Sequence, residues 1–223
     1  MTSTLEKRAA MPDLTELPDD SVETYADVLA RAVEAMALPD LALAAELLRP
    51  IAGQRWSGSL RLFAGTRAPS SERMSRSVSN RTRARVFIRA RLRCTYCGGR
   101  VVPRCILVAV SDVFPEELAY HPNYARGQIH PAYWALAPEA DHVVAHSGGG
   151  TSAEDNLTTL HTMCNARKSD ALRHELPALD RKPDAEPWDG LTSVYRRVVA
   201  AGERSVRHHS AAYHVEWMRH LEA

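Results

Sequence analysis

The chain is 223 residues long, enough for one substantial domain or for a small core with appendages. Its 45% apolar and 25% charged content suits a globular protein in water, and neither a bilayer-spanning apolar run nor a secretory leader is read, so the expected location is cytoplasmic. The net charge of +1 conceals a segregation: residues 1–60 sum to −5, residues 61–111 to +11 with twelve arginines against the single acid Glu72, and residues 112–223 to −5. A basic belt between acidic flanks suits a polyanion on one face, although an exposed arginine-rich helix would leave the same signature.

Residues 1–19 read as a loose lead. Asp20-Ser21-Val22-Glu23 then has the form of a capping box, with Asp20 at the N-cap. Val22, Tyr25, Leu29, Val33 and Met36 recur at helical spacing. Pro39 and Asp40 open a second helix that Pro50 stops near residue 48. Both helices are acidic outside and apolar inside; that suits packing or a protein partner and offers no catalytic group. Residues 52–80 read as loop, and Asn80 as the cap of a helix over 81–91 whose apolar face is Val86, Phe87 and Ala90. The knuckle Cys94-Thr95-Tyr96-Cys97-Gly98-Gly99 follows. The β-branched run 101–110 reads as a strand.

Residues 112–138 form an insertion with no assignable element. Its Tyr120, His121, Tyr124, Arg126 and His130 suit substrate choice and a surface excursion equally. Two short strands, 139–144 and 157–161, flank a glycine loop, and a helix over 164–174 follows. After Pro177 a polar, proline-containing linker leads to two helices, 191–201 and 210–221. His208, His209, His214 and His220 near the second read as structurally satisfied or solvated side chains before metal ligands.

Four cysteines with one C-x-x-C pair favour metal over disulfides in an intracellular setting. Cys94-x2-Cys97 and His161-x2-Cys164 have equal spacing, and two such pairs close a tetrahedral zinc site. Cys105 is the rival fourth ligand in place of His161. Such a closed site staples the arginine helix to the strand pair across more than sixty residues.

The segment EADHVVAHSGGGTSAEDNLTTLHTMCNARKSD, preceded by the knuckle, resembles the HNH endonuclease family over about residues 81–174. The three signature positions fall on His142, Asn156 and Asn165, an H-N-N variant. His146 stands where the family often has proline. The resemblance implies an α+β fold, a mainly helical chain around a small zinc-stapled ββα-metal core. It divides the chain into an acidic helical region over 1–60, a nuclease core over 61–176 that contains the insertion 105–138, and a helical extension over 177–223.

The residue types match the chemistry of phosphodiester hydrolysis. A neutral imidazole can take a proton from water near pH 7, so His142 is the expected general base. Asp141 and the amide oxygen of Asn165 are hard oxygen donors suited to Mg²⁺ or Mn²⁺. In the family the residue at Asn156 orients the loop carrying the base. Lys168, one turn beyond Asn165, shares its helix face and can reach a phosphate. Arg81, Arg83, Arg85, Arg89, Arg91 and Arg93 can neutralise flanking phosphates without reading sequence. The expectation is a metal-dependent endonuclease acting on DNA, double-stranded in the first instance, with restriction, phage defence or a mobile element as its setting. The alternative is a zinc-stabilised nucleic-acid-binding module without catalysis.

Overall fold

A computed structural model describes residues 19–57, 78–145, 149–168, 187–202 and 209–222. The residues 1–18, the body of the 52–80 loop, His146, the helical end beyond Lys168, the linker after Pro177 and His208 lie outside the described residues.

Helix α1 (Asp19–Ala37) owes its place to the stripe anticipated from its spacing. Val22, Ala26, Leu29, Ala32, Val33 and Met36 are all buried, with Val28 and Ala35 widening the buried face. The helix starts at Asp19. Glu23 and Asp27 grip the guanidinium of Arg100, just after the knuckle. Glu23 also accepts the Arg100 amide at 3.2 Å. Two acids of α1 therefore face the cysteine knuckle. Asp40 caps α2 (Leu41–Leu48) by accepting the Leu43 amide at 2.9 Å, as its position suggested.

In α3 (Asn80–Arg89) the cap is Ser79, one residue earlier than expected, accepting from the Thr82 amide at 3.1 Å. Asn80 lies inside the helix and donates to Glu216 at 3.0 Å. The expected strand over 101–110 is absent: Arg104–Val113 is helix α4. Cys105 through Asp112 are all buried, so the helix is enclosed on every face, with Cys105–Val110 an unbroken apolar run. A uniformly apolar run carries no period, and β-branched content alone then favours the wrong element. Packing against α5, α7 and α8 decides it, with Pro103 at the start where its missing N–H does no harm.

The insertion is core and not a surface excursion. It holds the end of α4, a series of turns and α5 (Ala132–Leu136), and Leu118, Ile129, Tyr133 and Leu136 are fully buried. Strands β1 (Pro138–His142) and β2 (Leu157–His161) pair antiparallel, with Asp141 opposite Thr158 and His142 opposite Leu157. Helix α6 (Thr162–Lys168) leaves β2 without a loop. Helices α7 (Tyr195–Gly202) and α8 (Ala211–Leu221) close the fold where the C-terminal pair was expected.

One contiguous hydrophobic core takes in residues from α1 through α8 and from both strands. His214 is held structurally: its ring bonds Asp112 at 3.0 Å and Tyr195 at 2.8 Å inside that core. His209 also reaches Asp112, at 3.3 Å. No helix among the described residues is long and apolar enough to cross a membrane.

His130 is wholly buried, its Nε2–H donating to Ile51 O at 2.7 Å and its Nδ1 accepting the Ala132 amide at 3.1 Å. The neutral ring uses both nitrogens, and burial pushes its pKa down to about 4. The unfolded chain takes up that proton near the ordinary 6.5 and the folded chain only near 4, so this contribution is present above pH 6.5 and lost as pH falls towards 4. Urea titrations should show the stability advantage of wild type over His130→Gln shrinking by about 3 kcal/mol between pH 7 and pH 4.

Candidate functional site

Two local geometries build the site. The first is the quartet Cys94, Cys97, His161 and Cys164, all buried, whose ligand atoms lie within 4.8 Å of one another. The Cys94 and Gly98 backbones close a tight turn at 2.8 Å, which turns both knuckle sulfurs inward. Gly99 has to be glycine: a Cβ there would meet Val22 at 2.9 Å and His161 at 3.0 Å. From the other side, β2 delivers His161 and the first turn of α6 delivers Cys164.

The His161 ring is oriented by its second nitrogen. Nε2–H donates to Arg100 O at 3.0 Å, leaving Nδ1 with its lone pair towards Cys97 Sγ at 3.3 Å and Cys164 Sγ at 3.9 Å. Burial raises the Cys94 thiol, but the Cys164 and Cys97 sulfurs and the His161 charge outweigh it and hold Cys94 well below the ordinary thiol range. Three sulfurs and one imidazole nitrogen in a dry tetrahedral space fit Zn²⁺. Cys105 is excluded from the set: it is buried on α4, and burial pushes its thiol up to about 12.

The second geometry is the turn after β1. Asn156, at the end of a 3-10 turn (Glu154–Asn156), uses its whole amide. Its Oδ1 accepts the Val144 amide at 2.9 Å, and its Nδ2 donates to Val144 O at 3.0 Å and to Thr151 O at 2.8 Å. The backbone adds Val143 N to Asn156 O at 2.9 Å. The residues directly after His142 are thereby clamped to the start of β2. Gly149 turns with φ +85°, and a Cβ on Gly150 would lie 1.8 Å from Val144 O. Gly150 is thus a steric requirement of the clamp, and Gly149 supplies its left-handed backbone.

Asp141 and His142 sit side by side at the end of β1. His142 Nε2 lies 3.3 Å from Ser152 Oγ. Asp141 Oδ2 lies 2.9 Å from the ammonium of Lys168, which also donates to His142 O at 3.4 Å. Lys168 is buried, only 5% exposed, so its anticipated reach to a phosphate is turned inward here. Asn165 is half-buried, one turn before Lys168 on α6.

The six arginines divide. Arg83 pairs with Glu139 at 2.9 Å. Arg89 donates to Leu157 O at 2.6 Å and to Glu154 O at 3.0 Å, and Arg85 pairs with Glu154. Arg93 donates to Gly98 O at 3.4 Å. Arg81, Arg85 and Arg91 keep exposed side chains. Part of the belt thus ties α3 to the turn that carries Asn156. Sequence reasoning missed this role, along with Ser152 and the Asp141–Lys168 pair. Only the excess of arginine next to Glu154 could have hinted at it.

A family model described as HNH endonuclease matches residues 135–171, from α5 through β1, the glycine turn and β2 into α6. Neither the curated proteins nor the solved structures contain a match to the chain. The matched element carries the clamped turn and two of the four quartet residues, and an HNH domain points to nuclease activity.

Metal analysis of the purified chain should find zinc, and Cys94→Ser combined with Cys97→Ser should lose it together with cooperative unfolding. Zinc-free chain with an undiminished transition would contradict the staple. Gly150→Ala should release the turn: hydrogen exchange at the Val144 amide should accelerate while zinc content stays unchanged.

Proposed function

We propose that the chain is a metal-dependent HNH endonuclease that hydrolyses phosphodiester bonds in DNA, with duplex DNA as the first substrate to test. The observation that carries this reading is the Asn156 clamp, which fixes the backbone immediately after Asp141 and His142. A side chain with no binding or chemical role of its own rarely needs such a rigid support.

In this reading His142 is the general base. Ser152 Oγ, 3.3 Å from Nε2, would help to orient the ring, whose unprotonated nitrogen would take the proton of the attacking water. Water oxygen bonds to phosphorus and the P–O3′ bond breaks, leaving a 5′-phosphate and a 3′-hydroxyl. Asp141 and Asn165 would hold Mg²⁺ or Mn²⁺, which when bound supplies Lewis acidity at the phosphate and charge stabilisation for the leaving oxygen. The oxygen donors suit such an ion, but Asp141 Oδ2 lies 2.9 Å from the Lys168 ammonium, which the cation would have to displace. Arg81 on α3 and Arg91 just beyond it, with Arg85 if it exchanges Glu154 for a phosphate, would contact flanking phosphates, giving salt-dependent and largely sequence-blind affinity.

The competing reading, a zinc-stabilised binding module without chemistry, draws on the Asp141–Lys168 pair, which already neutralises the carboxylate. Cleavage of plasmid and end-labelled duplex in Mg²⁺ or Mn²⁺, stopped by EDTA, separates the two. His142→Ala should lower the rate by about 10²- to 10⁴-fold while zinc content and DNA binding persist. Unchanged cleavage in that variant would remove His142 from its role, and tight DNA binding with no turnover in any metal would favour the module.

A further inference from the structure

We infer that Lys168 sets the affinity of the Asp141 site for a divalent cation and couples that affinity to the arrival of a phosphate. The inference rests on the reading of Asp141 as a metal ligand and concerns what the ammonium beside it does.

The Lys168 ammonium lies 2.9 Å from Asp141 Oδ2. Lysine almost never buries to this degree without a partner, and here the partner is the one carboxylate that the proposed cation needs. The contact is one of charge, without hydrogen-bond alignment on Oδ2. The ammonium is anchored a second time by His142 O at 3.4 Å.

The cleft at this point is lined by Thr95, Tyr96, Val143, Thr158, Leu160 and the ion pair itself. Apart from the pair, every one of those side chains is uncharged. Carboxylate and ammonium cancel, so the cleft is electrically neutral before any cation enters. Its volume of about 20 Å³ is room for about one water. A hexacoordinate dication that keeps several waters does not fit unless the ammonium moves away.

Two consequences follow from the charge alone. Without substrate, a dication would raise the site from neutral to doubly positive in a partly buried place, so its affinity is low. A phosphodiester brings the missing negative charge and offers the ammonium another acceptor. Lys168 can then leave Asp141 for a phosphate oxygen while the cation takes the carboxylate. Cation and DNA thereby bind cooperatively, and Lys168 is a positioning residue that links them. Such coupling keeps the hydrolytic centre unassembled until DNA is in place.

The test is Mn²⁺ binding to the full zinc-loaded chain, read by the electron paramagnetic resonance of free Mn²⁺, with a short duplex DNA as the phosphate probe. A His142→Ala background keeps the DNA intact. Without DNA, Lys168→Met should bind Mn²⁺ at least about tenfold more tightly than the parent. Lys168→Arg, which keeps the charge, should stay as weak as the parent. Added DNA should raise the parent's affinity and raise that of Lys168→Met by much less.

Equal or weaker Mn²⁺ binding by Lys168→Met without DNA overturns the inference, as does an equal gain from DNA in both proteins. Should Lys168→Met lose its zinc and fold, Lys168→Gln against Lys168→Arg makes the same comparison. Asp141→Asn is the separate control on the reading beneath: if it still binds Mn²⁺ like the parent, Asp141 is no ligand. That outcome is distinct from a failure of Lys168.

Discussion

The quartet of Cys94, Cys97, His161 and Cys164 is the constraint on which the remaining geometry depends. It joins two stretches of chain separated by the whole insertion, the knuckle after α3 and the junction of β2 with α6. Without it, a two-stranded sheet of five residues a strand would be marginal in water. The staple reaches outward through Arg100. The Arg100 carbonyl orients His161, its side chain is gripped by Glu23 and Asp27, and its guanidinium stacks 5.0 Å over Trp188. Helix α1, the knuckle and the C-terminal segment thus meet at one residue.

On this platform the chain performs a second act of positioning, without metal. The side-chain amide of Asn156 makes three backbone hydrogen bonds and ties together the two ends of the turn between β1 and β2. Arg89 supports that turn from α3 through the carbonyls of Glu154 and Leu157. Part of the arginine belt is therefore internal structure, and only the exposed part would be left for the proposed polyanion. A purely electrostatic count of arginines would overestimate the number available for phosphates, because each one committed to a carboxylate or carbonyl is partly neutralised or held in place.

The Asp141–Lys168 pair gives the same lesson at the scale of one site. Identity of residue types suggested a free carboxylate ready for a cation and a lysine extended towards a phosphate. In the folded chain the two charges satisfy each other, because a buried unpaired carboxylate or ammonium costs more than the pair. On the proposed reading, this pair would have to exchange partners for the site to act.

The motif spacing in the sequence determined the three cysteines of the quartet at 94, 97 and 164, the hairpin with its glycine turn, and the candidates Asp141, His142, Asn156 and Asn165. These features are local, since each depends on residue type at a fixed short separation, and such spacing is readable along the chain. The amphipathic stripe of α1 and the helix start at Asp40 were legible for the same reason. Only the tertiary structure decided that 101–110 contributes to a helix, that the insertion is core, that His161 and not Cys105 completes the quartet, and that Lys168 turns inward. Each of these outcomes depends on what lies across the fold: a uniformly apolar segment takes the shape its neighbours permit, and a charged side chain takes the partner its burial demands.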